Sequence, residues 1–504
     1  MLCSYYHKSS LNCMMSSELA SQLNLMLSST MFWTRGKPHL VLGTHGPLKL
    51  LKCRLPLASF DTHMYVVGKT KKGKSKFLEH VAYQLITLGQ GCGLLDPHSD
   101  LADDLLAYLS SDLMDDSLRQ RVIYFDPSRT DYLIPFNVLN APYSAYETAQ
   151  NVVEAFRRTW PDSLREAPRF ANIALAALIT LIENKLTLVE MHRLLTDSSY
   201  REGLLTRVSN PEVVSFFRDR YDRWGREQPL MTESLLNKTS ALVLNPRLRL
   251  ILGQRENGLN FREIMDEGKV LIIDLGRCDG ETRRLLGSLI VTGLEQAALS
   301  RKGTKERPPF YLFIDEFQDY CANEGSIQTL AKILSECRKF GLHMTLAHQT
   351  LSQIGDERLQ GALENAQIKV IFGTGRQTAE VIAKELFIPE LEEVKHEVEE
   401  ESQKSRTHPT FYPLFEQWEK LIQLTQSLPR RSILVQLPER QKVVRLNTVT
   451  VHDGGSSPNE LERLKRTLTQ RVGKACCEME GEIANNLRQD SGEPGFTYWE
   501  ARTA

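Results

Sequence analysis

Eight consecutive residues, Gly68-Lys69-Thr70-Lys71-Lys72-Gly73-Lys74-Ser75, have the types and spacing of a phosphate-binding P-loop, G-x-x-x-x-G-K-[ST]. Such a loop points backbone N–H groups and the positive end of a helix at one spot, which suits a triphosphate. Lys74 would reach the terminal phosphates, and the Ser75 hydroxyl would bind Mg²⁺. Far downstream, Phe310-Tyr311-Leu312-Phe313-Ile314-Asp315-Glu316 is an apolar run that ends in two carboxylates, the Walker B layout. Asp315 is suited to hold Mg²⁺ through water, and Glu316 to polarise a water that attacks the γ-phosphate. The bland alternative is a strand whose end happens to be acidic. Five apolar residues before Asp-Glu, after a P-loop, favour the chemical reading.

A third group ends the run Leu342 to Ala347 with His348-Gln349. A glutamine at that strand tip can hydrogen-bond both phosphate and attacking water, or simply close a strand. Hydrolysis also needs positive charge on the γ-phosphate, and ring ATPases take it from a neighbouring subunit. Arg338 and Arg376 are the candidates, although Arg338 equally suits the C-terminus of a helix. Asp96-Pro97-His98 and Asp126-Pro127 read as strand ends, with Ser99 or Asp100 capping the next helix. His98 lacks the partners a metal site needs.

These residues need a sheet to position them. Met64-Tyr65-Val66-Val67 reads as a buried strand entering the P-loop. Phe77, Leu78, Val81, Ala82, Leu85 and Ile86 repeat at helical spacing after it. Gly91 to Pro97 and Arg121 to Pro127 read as strands, with a helix over Leu101 to Leu109 between them. Lys269 to Leu275, Pro309 to Ile314, Leu342 to Ala347 and Ile368 to Gly373 are further strands, and Ser432 to Leu437 with Val443 to Val451 form a late pair. This alternation implies an α/β fold, a RecA-like P-loop domain with a mostly parallel central sheet.

The organisation along the chain follows. Residues 1–38 are serine-rich and expected to be weakly ordered. Residues 39–145 form the first part of the P-loop domain, opening on hairpin-like strands. Residues 146–255 are periodic at helical spacing and form an all-α insertion. Residues 256–453 complete the P-loop domain. Residues 454–504 hold a helix over Asn459 to Val472 and a polar, mobile tail. The acidic stretch Glu390 to Lys404 is expected as a solvated helix or loop.

Bulk properties narrow the function classes. The chain has 504 residues, 41% hydrophobic and 25% charged, with a net charge of −1. Nothing global marks it for nucleic acid, so such contacts rest on local runs: Lys69 to Lys76, the arginines of the helical insertion, or Arg301-Lys302 with Lys305 and Arg307. A solvated face is the default for each insertion helix and for the Arg301 run. Nine cysteines form no C-x-x-C pair, which argues against a metal site and fits a reducing cytoplasm. No stretch approaches 18 apolar residues, so no transmembrane segment is expected.

Taken in order, His63 to Gly68, the P-loop, Leu94-Leu95-Asp96-Pro97-His98, a helical insertion, Asp315-Glu316-Phe317-Gln318, Glu336 to Leu342 and Ala347-His348-Gln349 resemble the conjugative DNA-transfer coupling ATPases of type IV secretion, the TraG/TraD type. They are also similar to the wider HerA/FtsK group of ring translocases. The resemblance covers roughly residues 39–450. It implies ATP and Mg²⁺ as cofactors and a homo-hexameric ring with nucleotide between subunits. It also implies ATP-driven passage of DNA, with a relaxase–DNA complex and secretion-channel proteins as partners. Lys74, Ser75, Asp315, Glu316 and Gln349 inherit the roles above. The expected location is the cytoplasm, with recruitment to the inner membrane by partners. A HerA-like translocase of repair or phage defence, and a non-enzymatic nucleotide-binding scaffold, are the competing readings; intact Lys74, Ser75, Asp315 and Glu316 speak against a scaffold. Two departures stand out. Lys71 sits where many relatives have glycine, tolerable only if its φ is negative. And the N-terminal transmembrane helices of membrane-bound coupling proteins have no counterpart here.

Overall fold

Short apolar runs that end in a polar residue become the strands. The computed structural model describes residues 38–46, 49–110, 116–160, 170–320, 324–351, 357–387, 394–399, 407–411, 413–438, 443–451 and 454–491. The expectation for residues 1–37 lies outside them. In chain order the strands are β1 (His39–His45), β2 (Leu51–Pro56), β3 (Met64–Val67), β4 (Gly91–Asp96), β5 (Val122–Phe125), β6 (Tyr132–Leu133), β7 (Val270–Asp274) and β8 (Phe310–Ile314). They continue with β9 (Leu342–His348), β10 (Ile368–Ile371), β11 (Val394–Glu399), β12 (Thr407–Phe411), β13 (Ser432–Gln436), β14 (Val444–Asn447) and β15 (Lys474–Ala475).

The longer helices are α1 (Lys74–Thr87), α2 (Asp100–Ser110), α3 (Ala145–Thr159), α4 (Phe170–Glu183), α5 (Gln228–Leu244) and α6 (Gly280–Leu299). After them come α7 (Glu324–Glu336), α8 (Arg376–Leu386), α9 (Leu414–Gln426), α10 (Pro458–Val472) and α11 (Cys476–Ser491). The chain divides into two compact units. The first takes the described residues up to Phe60, with Val67–Gln84 and Ile368–Val451; the second takes Asp61–Val66, Leu85–Gln367 and the described residues after His452.

The second unit holds the parallel part of the sheet, in the order β3-β9-β8-β4-β7-β5. Pairings β8 to β9, β4 to β8, β4 to β7 and β5 to β7 are all parallel. Every residue of β3, β4, β5, β7, β8 and β9 is buried. Strands covered on both faces read as continuous apolar runs, which is why they were legible. Helix α3 opens with a capping box, Ser144 with Glu147, and packs against α6. The helices between Ala145 and Leu252 follow without a strand among the described residues.

The first unit is antiparallel, in the order β2-β1-β14-β13-β10. A bulge between Val41 and Gly43 interrupts the β1–β2 register. Gly43 is needed in β1 because a Cβ there would stand 2.6 Å from the Asn447 carbonyl.

Three expectations are corrected. The acidic stretch within Glu390 to Lys404 is a strand where it is described: β11 pairs antiparallel with β12, His396 opposite Thr410 and Val398 opposite His408. Its two valines, Val394 and Val398, stand four residues apart, a spacing that does not separate strand from helix, so the charge dominated the reading. The residues after Val472 are not a loose tail as far as Ser491. β15 pairs with β6, and α11 buries Met479 and Ile483, with Met479 O accepting from Gln254 Nε2 at 3.1 Å. The Arg301 run is a solvated face only at Lys302 and Lys305; its two arginines are tied into the fold. Arg301 is fully buried, pairs with Asp266 at 2.7 Å and donates to the Pro308 and Phe340 carbonyls, while Arg307 Nη1 donates to Lys339 O. Folded loops with bare carbonyls take up these guanidinium donors.

Candidate functional site

In the first unit, the loop from Gly68 to Ser75 is held from outside by backbone bonds. Lys69 N–H donates to Gly373 O at 3.0 Å, and Lys72 O accepts from Arg431 N–H at 3.0 Å. At the strand end just before it, Val67 O accepts from Phe372 N–H at 2.8 Å. Gly68 has no room for a side chain, since a Cβ would lie 2.3 Å from the Phe372 Cβ. Gly73 has φ +107, a region only glycine enters freely. Phe77 N–H then closes the first helical turn onto Gly73 O at 3.1 Å. The first N–H groups of α1 have no carbonyl partner within the helix. Lys74, the first residue of α1, is buried, and Ser75 beside it is half-buried. Backbone N–H donors at a helix start, a buried ammonium and a hydroxyl make a donor set that fits a polyphosphate with its cation.

Lys71 departs from expectation. Its φ is +62, in the left-handed region that its side chain should disfavour. The loop therefore keeps the glycine-type backbone although lysine occupies the position. The basic run is also less open than its sequence implied. Lys72 Nζ donates to Leu428 O at 2.8 Å, and Lys76 pairs at 3.0 Å with the buried Glu79.

In the second unit, the ends of the parallel strands gather the acidic residues. Asp315 and Glu316 follow β8 and are both buried. Asp315 Oδ1 accepts from Glu316 N–H at 3.0 Å. Glu316 has φ +45, a strained backbone for a non-glycine residue. Both of its carboxylate oxygens are engaged: Oε2 accepts from Gln318 Nε2 at 2.8 Å, and Oε1 from Gln349 Nε2 at 3.2 Å. The structure thus brings Asp315, Glu316 and Gln349 together at one edge.

Sequence reasoning missed what lies beneath Gln349. The His348 ring is fully buried, with Nδ1 3.1 Å from Thr350 O and Nε2 2.5 Å from Tyr65 Oη. A carbonyl only accepts, so Nδ1 carries the proton and Nε2 accepts from the tyrosine hydroxyl. Phe317 packs edge-on against the same ring, centroids 5.1 Å apart.

A row of aspartates was half visible as a repeated pattern, an apolar run closed by Asp. Asp96 ends β4 and Asp274 ends β7. Asp96 Oδ2 accepts from Ala102 N–H and Oδ1 from His98 N–H, both at 2.8 Å. Asp96 itself thus caps α2, the role expected of Ser99 or Asp100. Ser99 Oγ instead donates to Asp274 Oδ1 at 2.6 Å, and Tyr124 Oη donates to Asp274 Oδ2 at 2.8 Å. Burial pushes Asp96 up to about 6, the charges of Asp274 and Asp315 adding to burial and the two N–H bonds opposing it. His98 is exposed, and no metal-ligating cluster exists among the described residues.

The two arginines lie elsewhere. Arg338 stands before β9, donating from Nε to Asp61 O at 2.8 Å, whereas Gln349 follows the same strand. Seven residues of strand separate the two ends by roughly 20 Å. Arg376 opens α8 in the first unit. Its guanidinium grips both Glu419 oxygens at 2.6 and 2.7 Å and pairs with Glu380 at 2.6 Å.

Residues 309–426 match the family profile described as the TraM recognition site of TraD and TraG. No curated protein matches the chain. Solved structures with the same fold include the bacterial conjugative coupling protein TrwBdeltaN70 in its unbound monoclinic form. It is 18% identical at a TM-score of 0.57, over 85% of this chain and 92% of that one. Plasmid coupling protein TrwB in complex with ADP and Mg²⁺ is 19% identical at a TM-score of 0.55, over 85% of this chain and 93% of that one. VirB4 of Thermoanaerobacter pseudethanolicus is 11% identical at a TM-score of 0.52, over 83% and 98%. The RecA-like α/β fold is thereby established. In its segment 309–426 and in its fold, the chain is similar to conjugative coupling proteins of the TraG/TraD type, the resemblance its ordered motifs carry.

Proposed function

We propose that this chain is an ATPase that couples hydrolysis to DNA transfer, as the coupling protein of a conjugative or mobilisation system. The observation that carries the reading is the Glu316 carboxylate, buried at a strand end and engaged through both oxygens by the amides of Gln318 and Gln349. A carboxylate so oriented suits a base that aligns water, and a scaffold has no use for it. The TrwB structures with ADP and Mg²⁺, and with a non-hydrolysable ATP analogue, support the cofactor assignment.

In this reading, bound Mg–ATP supplies the phosphoanhydride bond whose cleavage drives the work. The backbone from Gly68 to Ser75 and the Lys74 ammonium hold its phosphates. Ser75 and Asp315 hold the metal ion. Glu316 takes the proton of the attacking water, and Gln349 senses whether the terminal phosphate is present. Six copies form a ring, with Arg338 or Arg376 completing the neighbour's site. Residues 146–255 act as the helical insertion. DNA, a relaxase and the secretion channel are the partners, reached from the cytoplasmic face of the inner membrane. No helix among the described residues is long and apolar enough to cross a membrane, so recruitment by partners is part of the proposal.

The test is ATP turnover with and without DNA for wild type, Lys74→Ala and Glu316→Gln. Lys74→Ala should lose nucleotide binding. Glu316→Gln should keep binding and lose turnover by about a hundredfold, near 2.7 kcal/mol of barrier. A drop below about tenfold, near 1.4 kcal/mol, would remove the base assignment.

A further inference from the structure

Away from the Glu316–Gln349 edge, the second unit holds a half-open cavity of about 300 Å³ that the proposed ATPase chemistry does not use. It lies among the segment after β6, helix α3, the segment that leads into β7, and the lower half of α6. Its lining includes five carboxamide side chains, one cation (Arg262) and no carboxylate.

The polar groups are unequally employed. Asn257 Nδ2 donates to Asn140 O at 3.3 Å, and Arg262 is tied to Asp266 and, at 2.9 Å, to Ser300 Oγ. Those groups build the walls. Asn151 on α3 and Gln296 on α6 have no side-chain partner among the described residues. The Thr148 hydroxyl, one turn before Asn151, is 98% buried and also without a hydrogen-bond partner. A buried hydroxyl left unpaired costs about 1–3 kcal/mol, so such groups normally have a partner to receive. The apolar side is aromatic. Phe261 and Phe136 meet edge to face at 5.7 Å. Phe261 lies so close on α6 that a Cβ at Gly293 would stand 2.4 Å from its ring.

We infer that this cavity receives one nucleobase. Two carboxamides on the packed helices α3 and α6 offer donors and acceptors of the kind that read base edges. Phe136 and Phe261, both buried, close its apolar side. A cavity of this size is at the small end of ligand sites, which suits a single ring system and not a whole dinucleotide. The absence of a carboxylate from the lining leaves a phosphate-bearing ligand unrepelled. The same chemistry accepts a base splayed from a single strand or a free nucleoside, and the two sources separate experimentally.

The test uses the full chain without ATP, so it is independent of the hydrolysis reading. Fluorescence of 2-aminopurine is followed as its free riboside and as one base in a single-stranded decamer, with the corresponding duplex as control. Quenching by the strand alone assigns the site to DNA, and quenching by both assigns it to any base. In either case Asn151→Leu and Gln296→Leu should weaken binding at least tenfold, with melting temperature unchanged. Asn151→Asp, which keeps shape while adding a charge beside the base, should weaken it as well and serves if the leucine variants fail to fold. Absence of quenching at millimolar riboside and micromolar decamer overturns the inference. So does quenching that all three variants retain.

Discussion

Gln349 Nε2 donates to Glu316 Oε1 across 3.2 Å, joining the tips of two neighbouring parallel strands. The glutamine therefore orients the carboxylate proposed as base. Gln349→Ala should lower kcat by about 10- to 100-fold, or about 1.4–2.7 kcal/mol, while KM for ATP stays within about twofold. Steady-state ATPase kinetics decide it, and an unchanged kcat would detach Gln349 from the reaction.

Tyr65→Phe removes the hydroxyl that donates to His348 Nε2. A buried ring nitrogen left without a donor costs about 1–3 kcal/mol of stability, read from urea denaturation. Because His348 precedes Gln349 directly, kcat should fall as well, with KM unchanged. Loss of stability without loss of kcat would confine the pair to a structural role.

Lys71 holds φ +62. Left-handed backbone costs an L-residue roughly 1–2 kcal/mol, against about 0.4–1 kcal/mol that glycine loses through its more flexible unfolded chain. Lys71→Gly should therefore stabilise the protein by up to about 1.6 kcal/mol, and Lys71→Val, β-branched, should destabilise it. Thermal melts in the absence of nucleotide test the order Gly, Lys, Val.

The buried histidines at the other ends of the strands set an acid limit. Burial, helped by the charge of Arg338, holds His63 down to about 4. Burial, with the charges of His63, Arg338 and Arg301, holds His343 down to about 3. Both are neutral in the fold and would protonate near 6.5 when unfolded. Their contribution is full above pH 6.5 and is lost as pH falls toward 4, on the order of 3 kcal/mol from His63 alone. His343→Phe keeps a ring against Tyr311, whose centroid lies 5.3 Å away. It should flatten the fall in melting temperature between pH 6.5 and 4.

Arg338 lies at the strand-entry edge, away from its own Glu316, so any action on phosphate would be on a neighbour. Mixing Arg338→Ala with wild type at increasing ratios should depress ATPase activity more steeply than dilution does. A linear decline would reject a role in trans. Arg376, already paired with Glu380 and Glu419, should give the linear result.

Particular residues show what was legible. The strands β3, β4, β5, β7, β8 and β9 appeared within a residue or two, because each is buried on both faces and so reads as a continuous run. The charged hairpin at Val394 to Phe411 did not, because its pairing is between distant residues and its composition reads as loop. Arg301 read as a surface charge because no local pattern reveals which distant carbonyls a guanidinium will meet.

Alone, the sequence determined the mostly parallel fold, the P-loop motif ending in Lys74 and Ser75, and the strand closed by Asp315 and Glu316, since each depends on runs and spacings a few residues long. Tertiary structure decided the left-handed backbone at Lys71 and Glu316, the Tyr65–His348 support, and the cavity beside Asn151 and Gln296. Those features arise where segments remote in the chain constrain one another, and no local periodicity encodes such a constraint.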